Sequence, residues 1–153
     1  ITQVLDVEAD IRPLADRCME LGAKVLLIKC GAPGIYFRTA DRDTLGAVGG
    51  DLLPEPEKWA DLESFERSYV PERIASGTGA GDTSIAAFLA AVLEGLEPEE
   101  CLQLATATGA SCVASYDALS GLKSFEELRE KIRQGWEKQS LNERGECDVS
   151  QYE

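Results

Sequence analysis

An α/β domain, with helices flanking a parallel sheet, is what the sequence predicts, and three observations predict it. A helix-spaced apolar set (Ile11, Leu14, Ala15, Cys18, Leu21) leads straight into the uninterrupted apolar run Val25-Leu26-Leu27-Ile28, the pattern of a strand covered on both faces. A glycine-dense turn, Gly77-Thr78-Gly79-Ala80-Gly81, joins a strand end to a helix whose apolar residues Ile85, Phe88, Leu89, Val92 and Leu93 recur at helical spacing. Two further helical patterns follow, over residues 98–115 and from Ser124 onward.

Each element has its own local reason. The first helix, over residues 10–21, tolerates Pro13 in its first turn and stops at Gly22. After the apolar run, Gly31-Ala32-Pro33-Gly34 makes a turn into a second strand, Ile35-Tyr36-Phe37-Arg38. Residues 39–73 lose regular periodicity, and Gly and Pro punctuate them; Trp59, Leu62 and Phe65 form one short helical face and a local satellite core. Gly95 ends the helix after the glycine turn, and Pro98-Glu99-Glu100 opens the next, with Cys101, Leu104, Ala105, Thr108 and Cys112 inward. Its Ala, Thr and Gly109 allow another element to approach closely. Ser124 and Glu127 form a capping box, followed by Phe125, Leu128, Ile132 and Trp136 on one face. Residues 1–138 are read as one domain and 139–153 as a polar tail.

Composition excludes several functions. The formal net charge of −13 argues against nucleic acid and anionic membranes as partners, since both need a cationic face. The chain has no His, which removes imidazole acid–base chemistry and most zinc sites. Five Cys at 18, 30, 101, 112 and 147, with no C-x-x-C, read as reduced thiols of a cytoplasmic protein. No apolar run approaches a membrane span and no signal peptide is visible. The chain opens on Ile1 and its one Met is Met19, so a piece of a longer protein is expected.

The chemistry centres on the glycine turn. Such a turn at a helix start gathers backbone N–H groups at the positive end of the dipole, where an anionic oxygen can sit. A Walker loop would place Lys where Asp82 stands, and a dinucleotide fingerprint would need Gly at 82. What remains is an anion-binding turn closed by a carboxylate. That arrangement suits phosphoryl transfer, in which charge is stabilised on the moving oxygens and a base takes the proton of an attacking alcohol. An Asp in the first turn is also an ordinary helix cap; after Gly-Thr-Gly-Ala-Gly the catalytic reading is preferred.

Gly79-Ala80-Gly81-Asp82, between a strand and a small-residue helix, resembles the second signature of the PfkB carbohydrate kinases, in the ribokinase-like superfamily. The resemblance implies a ribokinase-like, Rossmann-like α/β fold, of which this chain is the C-terminal, nucleotide-binding portion. It implies ATP-dependent phosphorylation of a hydroxyl on a sugar or related small molecule. It places an anion hole on Gly79, Ala80 and Gly81 and the base on Asp82, with ATP and magnesium as cofactors. The Lys-x-Gly-x-x-Gly-x-Tyr segment is similar to the family's strand-turn-strand beside the nucleotide, which makes Lys29, Gly31 and Gly34 candidates for binding it. Thr78 joins them from the turn; Thr106, Ala110 and Gly121 are candidates by position for walling adenine and ribose. Ser76-Gly77 stands where the family usually has Asp-Thr, whose Asp often helps hold a monovalent cation; Ser76 is the candidate for potassium here. Many relatives pair through a lid, which implies a homodimer. A vitamin kinase of the pyridoxal or hydroxymethylpyrimidine type is the neighbouring alternative, because some of these carry a Gly-Thr-Gly opening. A non-catalytic nucleotide-binding module is the other.

Overall fold

The computed structural model describes residues 7–48, 52–53 and 55–141. A π-helical turn, Val7–Ile11, runs into α1 (Arg12–Glu20); β1 (Val25–Lys29) and β2 (Gly34–Thr39) follow. Two short helices come next, α2 (Arg42–Gly46) and α3 (Pro56–Trp59), then β3 (Glu63–Arg67). The rest is helical: α4 (Ala80–Leu93), α5 (Pro98–Cys112) and α6 (Phe125–Arg133).

The strands form one sheet in the order β1-β2-β3. All pairs are antiparallel, with Leu27 opposite Phe37 and Tyr36 opposite Phe65. The parallel sheet expected from the apolar run of β1 is therefore corrected for these strands. The cause is the connection. Residues 30–33 are too few for a crossover, which needs a dozen or more, and only an antiparallel return is open to them. The reason for expecting a strand covered on both faces does hold. Leu26 and Ile28 pack with Ile11, Ala15 and Tyr36 under α1. Val25 and Leu27 face the larger core, built from Ile35, Phe37, Trp59, Phe88 and the buried positions of α5.

That core is centred on three rings. Phe37, Trp59 and Phe88 meet at centroid distances of 6.0–6.3 Å, edge to face or tilted. Trp59 thus belongs to the main core and not to a satellite, and Phe65 lies in a strand and not on a helical face. The sequence hid β3 because four of its five residues are Glu, Ser, Glu and Arg, the charged dress of a sheet edge.

The helices α4 and α5 pack along their lengths. Gly109 makes the approach possible, since a Cβ there would collide with the hydroxyl of Ser84. Cys101, Leu104, Ala105, Thr108 and Cys112 are all buried, as their spacing predicts. On α4 the spacing over-predicts. Leu89 and Leu93 are 52% and 75% exposed, so this helix is apolar on its outer face too. Leu14 and Leu21 also lie exposed, because α1 buries only Ala15, beside Ile11 of the preceding turn, and ends before Leu21. The capping box at Ser124 and Glu127 forms as expected, in both directions.

Cys18, Cys30, Cys101 and Cys112 are free thiols, and burial pushes Cys101 up to about 12. Cys147, like residues 142–153 of the tail, lies outside the described residues. Gln139, in contrast, is buried, and its N–H donates to Ser68 O at 2.8 Å. Among the described residues no helix is long and apolar enough to cross a membrane.

Candidate active site

The glycine turn is held from both sides before α4 begins. The N–H groups of Ala75 and Ser76 both donate to Val113 O, at 2.8 and 3.2 Å, tying the incoming chain to the end of α5. Arg73 Nε adds a bond to Ala114 O at 2.8 Å. Ser76 Oγ accepts from Thr78 N–H at 3.1 Å and so stiffens the turn itself. Gly79 then takes φ +77°, a left-handed conformation open to glycine, with Ala118 standing where a Cβ would go.

From Ala80 the chain is helical, and the first-turn N–H groups have no carbonyl within the helix to donate to. The Ala80 N–H reaches Gly77 O only at 3.4 Å. The carbonyl side of the turn is saturated instead. Gly79 O accepts from Thr83 N–H (2.9 Å) and Thr83 Oγ1 (3.0 Å), and Ala80 O from Ser84 Oγ (2.8 Å). The turn's carbonyls are occupied while helix geometry leaves the first-turn N–H groups without intrahelical acceptors, a polarity that suits an anion.

Asp82 follows in that first turn with a carboxylate 94% exposed, its Oδ1 3.8 Å from Lys29 Nζ. Lys29 ends β1, and its ammonium overhangs the turn: a Cβ on Gly81 would lie 2.7 Å from Nζ. Sheet and helix thus bring a cation, a carboxylate and a run of amides to one place.

Beside them opens a cleft of about 320 Å³. Lys29, Gly31, Gly34, Ala80, Gly81, Thr106 and Ala110, all singled out in the sequence, line it. Lys29 is the one charged side chain among the described lining residues. Gly34 has a second duty, because a Cβ there would strike Glu66 O on β3. Thr106 donates its hydroxyl to Leu102 O and Gln103 O of its own helix, at 3.1 and 3.0 Å. Thr78, Gly79 and Ser76 shape the turn without lining the cleft. Gly121 lies apart, in a second hollow of about 400 Å³, with Ser111 O 2.6 Å from where its Cβ would be. Among the described residues no three acidic or thiol side chains gather as a metal site.

The cleft also has walls that sequence reasoning missed. Ile74 and Val113 carry no motif; Ser84 and Gly109 are visible only as small residues at helical spacing. Tyr69 follows the unrecognised β3, and Gln139 stands where a tail was expected. Burial, with Glu66 adding to it, pushes the Tyr69 phenol up to about 12, so it stays neutral across the physiological range.

Comparison with known proteins gives this geometry a context. The model of the pfkB family carbohydrate kinases matches residues 2–124. An uncharacterized sugar kinase of Archaeoglobus fulgidus is 30% identical over 113 residues, covering 74% of this chain and 37% of the relative. The ribokinase of Arabidopsis thaliana is 33% identical over 107 residues, 69% of this chain and 23% of the relative. The structure of Arabidopsis ribokinase complexed with ribose and ATP matches with a TM-score of 0.62 and 25% identity, over 79% of this chain and 33% of that one. Methanocaldococcus jannaschii nucleoside kinase, at 19% identity and a TM-score of 0.58 over 84% of this chain, shares the fold. The chain spans 37% or less of the length of each of these relatives. A ribokinase-like α/β fold and a family match over most of the sequence establish that the chain belongs to the pfkB family of carbohydrate kinases.

Proposed function

We propose that this chain carries the nucleotide-binding and catalytic part of a kinase that moves the γ-phosphoryl group of MgATP to a hydroxyl of a sugar or related small molecule. The observation that carries the reading is the turn at residues 79–82. First-turn amides without intrahelical acceptors, the Lys29 ammonium and an exposed Asp82 carboxylate meet there, beside a cleft large enough for a small ligand. The residues fit a triphosphate, since the absence of a side chain at Gly81 lets the Lys29 ammonium sit directly over the turn, where it can pair with a phosphate oxygen. When bound, MgATP supplies the transferable phosphoryl group together with a divalent charge on its phosphates.

The chain's own part follows from the geometry. The N–H groups of residues 79–81 hold charge developing on the phosphoryl oxygens, and the dipole of α4 adds to their effect. Lys29 balances charge at the same point and holds the outer phosphates to the end of β1. Asp82 Oδ1 or Oδ2 accepts the acceptor's hydroxyl proton as that oxygen attacks, and its exposure leaves it reachable by a second reactant. The cleft between the hairpin turn and α5, with Gly31, Thr106 and Ala110 in its wall, receives the nucleoside. A sugar as acceptor is supported by the ribokinase and sugar-kinase relatives.

Replacing Asp82 tests the reading. In the intact protein, Asp82→Asn should lower turnover about a hundred- to ten-thousand-fold while nucleotide affinity stays within about two-fold. Unchanged turnover would remove Asp82 from the chemistry. Assay against a panel of sugars and nucleosides, with and without potassium, identifies the acceptor and tests whether Ser76 takes part in a cation site.

A further inference from the structure

Ser84 sits one turn into α4 and is buried, and its Oγ donates to Ala80 O at 2.8 Å. Serine and threonine hydroxyls often return to a carbonyl of the preceding helical turn, and Thr106 and Thr108 do so within α5. The bond at Ser84 differs in two respects. Its acceptor belongs to the first turn of α4: Ala80 C=O and Gly81 N–H are the two ends of one peptide group, and that N–H has no acceptor within the helix. The bond is also sealed. Helix α5 lies over it at Gly109, where a Cβ would stand 2.4 Å from Ser84 Oγ and 3.4 Å from Ala80 O. Gly109 thus leaves room for the hydroxyl while its helix keeps water away.

A donor on a carbonyl draws electron density through the resonant peptide and makes the N–H at its other end a stronger donor. Hydrogen bonds linked in this way reinforce one another by about 10–30% each, and a low local dielectric leaves the effect unscreened. Thr83 works on the same stretch. Its Oγ1 lies 3.0 Å from Gly79 O, whose peptide carries the Ala80 N–H, and 3.1 Å from Ala80 O. Gly81 is also the position beneath the Lys29 ammonium, with Nζ 2.7 Å from where its Cβ would be. Ser84 therefore acts at the amide next to the ammonium, through the backbone and not by touching the anion.

We infer that Ser84 is a positioning residue of the glycine turn: through Ala80 C=O its buried hydroxyl polarises the Gly81 N–H and strengthens that amide's hold on a phosphate oxygen. The inference rests on the phosphate reading of the turn. It is tested by equilibrium binding of inorganic tripolyphosphate, and of adenosine, which has no phosphate, to the intact protein and two variants. Ser84→Ala removes the donor. Thr108→Val removes the matching bond to Leu104 O, in the interior of α5, where the N–H of the same peptide is already used by the helix. Ser84→Ala should bind tripolyphosphate about three-fold more weakly and adenosine as the wild type does, while Thr108→Val should match the wild type for both. In the free Ser84→Ala protein the Gly81 amide nitrogen resonance should also move upfield, because its peptide carbonyl has lost a donor; an unmoved resonance overturns the inference. Unchanged tripolyphosphate affinity in Ser84→Ala overturns it too and spares the turn. So does an equal loss for both probes, which would make the bond merely structural, or a selective loss that Thr108→Val shares. A wild type that binds adenosine but not tripolyphosphate overturns the phosphate reading of the turn itself.

Discussion

At Gly79 the backbone has φ +77° and Ala118 occupies the place of a side chain, whereas at Gly81 the backbone is helical and the neighbour is the tip of Lys29. The two glycines answer to different constraints. Gly79→Ala adds left-handed strain to a collision with a packed residue, and should cost about 2 kcal/mol or more in denaturant unfolding. Gly81→Ala meets the end of a flexible chain that can swing away. Its stability should stay within about 0.5 kcal/mol while tripolyphosphate affinity falls about ten-fold, because the new methyl group pushes the Lys29 ammonium away from the turn. Equal destabilisation of the two variants would contradict this division. At this scale the sequence was most informative. Three glycines followed by Asp82 mark the turn by type and spacing, while the roles proposed for them rest on resemblance to the family, and Lys29 is marked by its place before Gly31. Tyr69 and Gln139 carry no such mark, because their roles arise from contacts across some 70 positions of chain.

Among the elements, the segment after α6 and the loop after β3 form a unit whose weak point is a phenol. Tyr69 is buried between Trp136 and Lys138 and ionises only near about 12, against an ordinary value of 10. Because the folded value is the raised one, the neutral phenol stabilises fully below pH 10, and this contribution is lost as pH rises towards 12. By linkage the loss is about 2–3 kcal/mol. Melting temperature should therefore fall across that window in the wild type, and fall less in Tyr69→Phe; parallel curves would show that Tyr69 is not the group titrating. The helices around this unit were legible because caps and apolar spacing are local: Pro98, the Ser124–Glu127 box and the buried face of α5 all stand where they were expected. The sheet was less so. Strand β3 has one partly buried aromatic, Phe65, among charged residues, and the direction of β1 is set by a four-residue turn and not by its own composition.

For the whole molecule, 28 acidic residues against 15 basic ones leave a net charge of −13 on a small body. Among the described residues most ion pairs are surface pairs such as Arg17–Glu20 and Arg133–Glu130, each worth about 1 kcal/mol or less. General repulsion should outweigh them, so screening by added salt should raise the melting temperature by a few degrees between about 50 and 500 mM. A fall would mean that the pairs dominate. Charge of this kind is read from composition, but the exposed Leu89 and Leu93 are not, since a helix that is apolar all round gives no sign of which side stays outside.

The ammonium over the turn and the carboxylate beside it are delivered by different layers, Lys29 by the sheet and Asp82 by a helix. Their spacing therefore reports how hairpin and helix are seated on each other. A substitution that merely tilts the hairpin, even at Gly34 against Glu66, would change that spacing, and with it the proposed phosphoryl transfer, without altering either side chain.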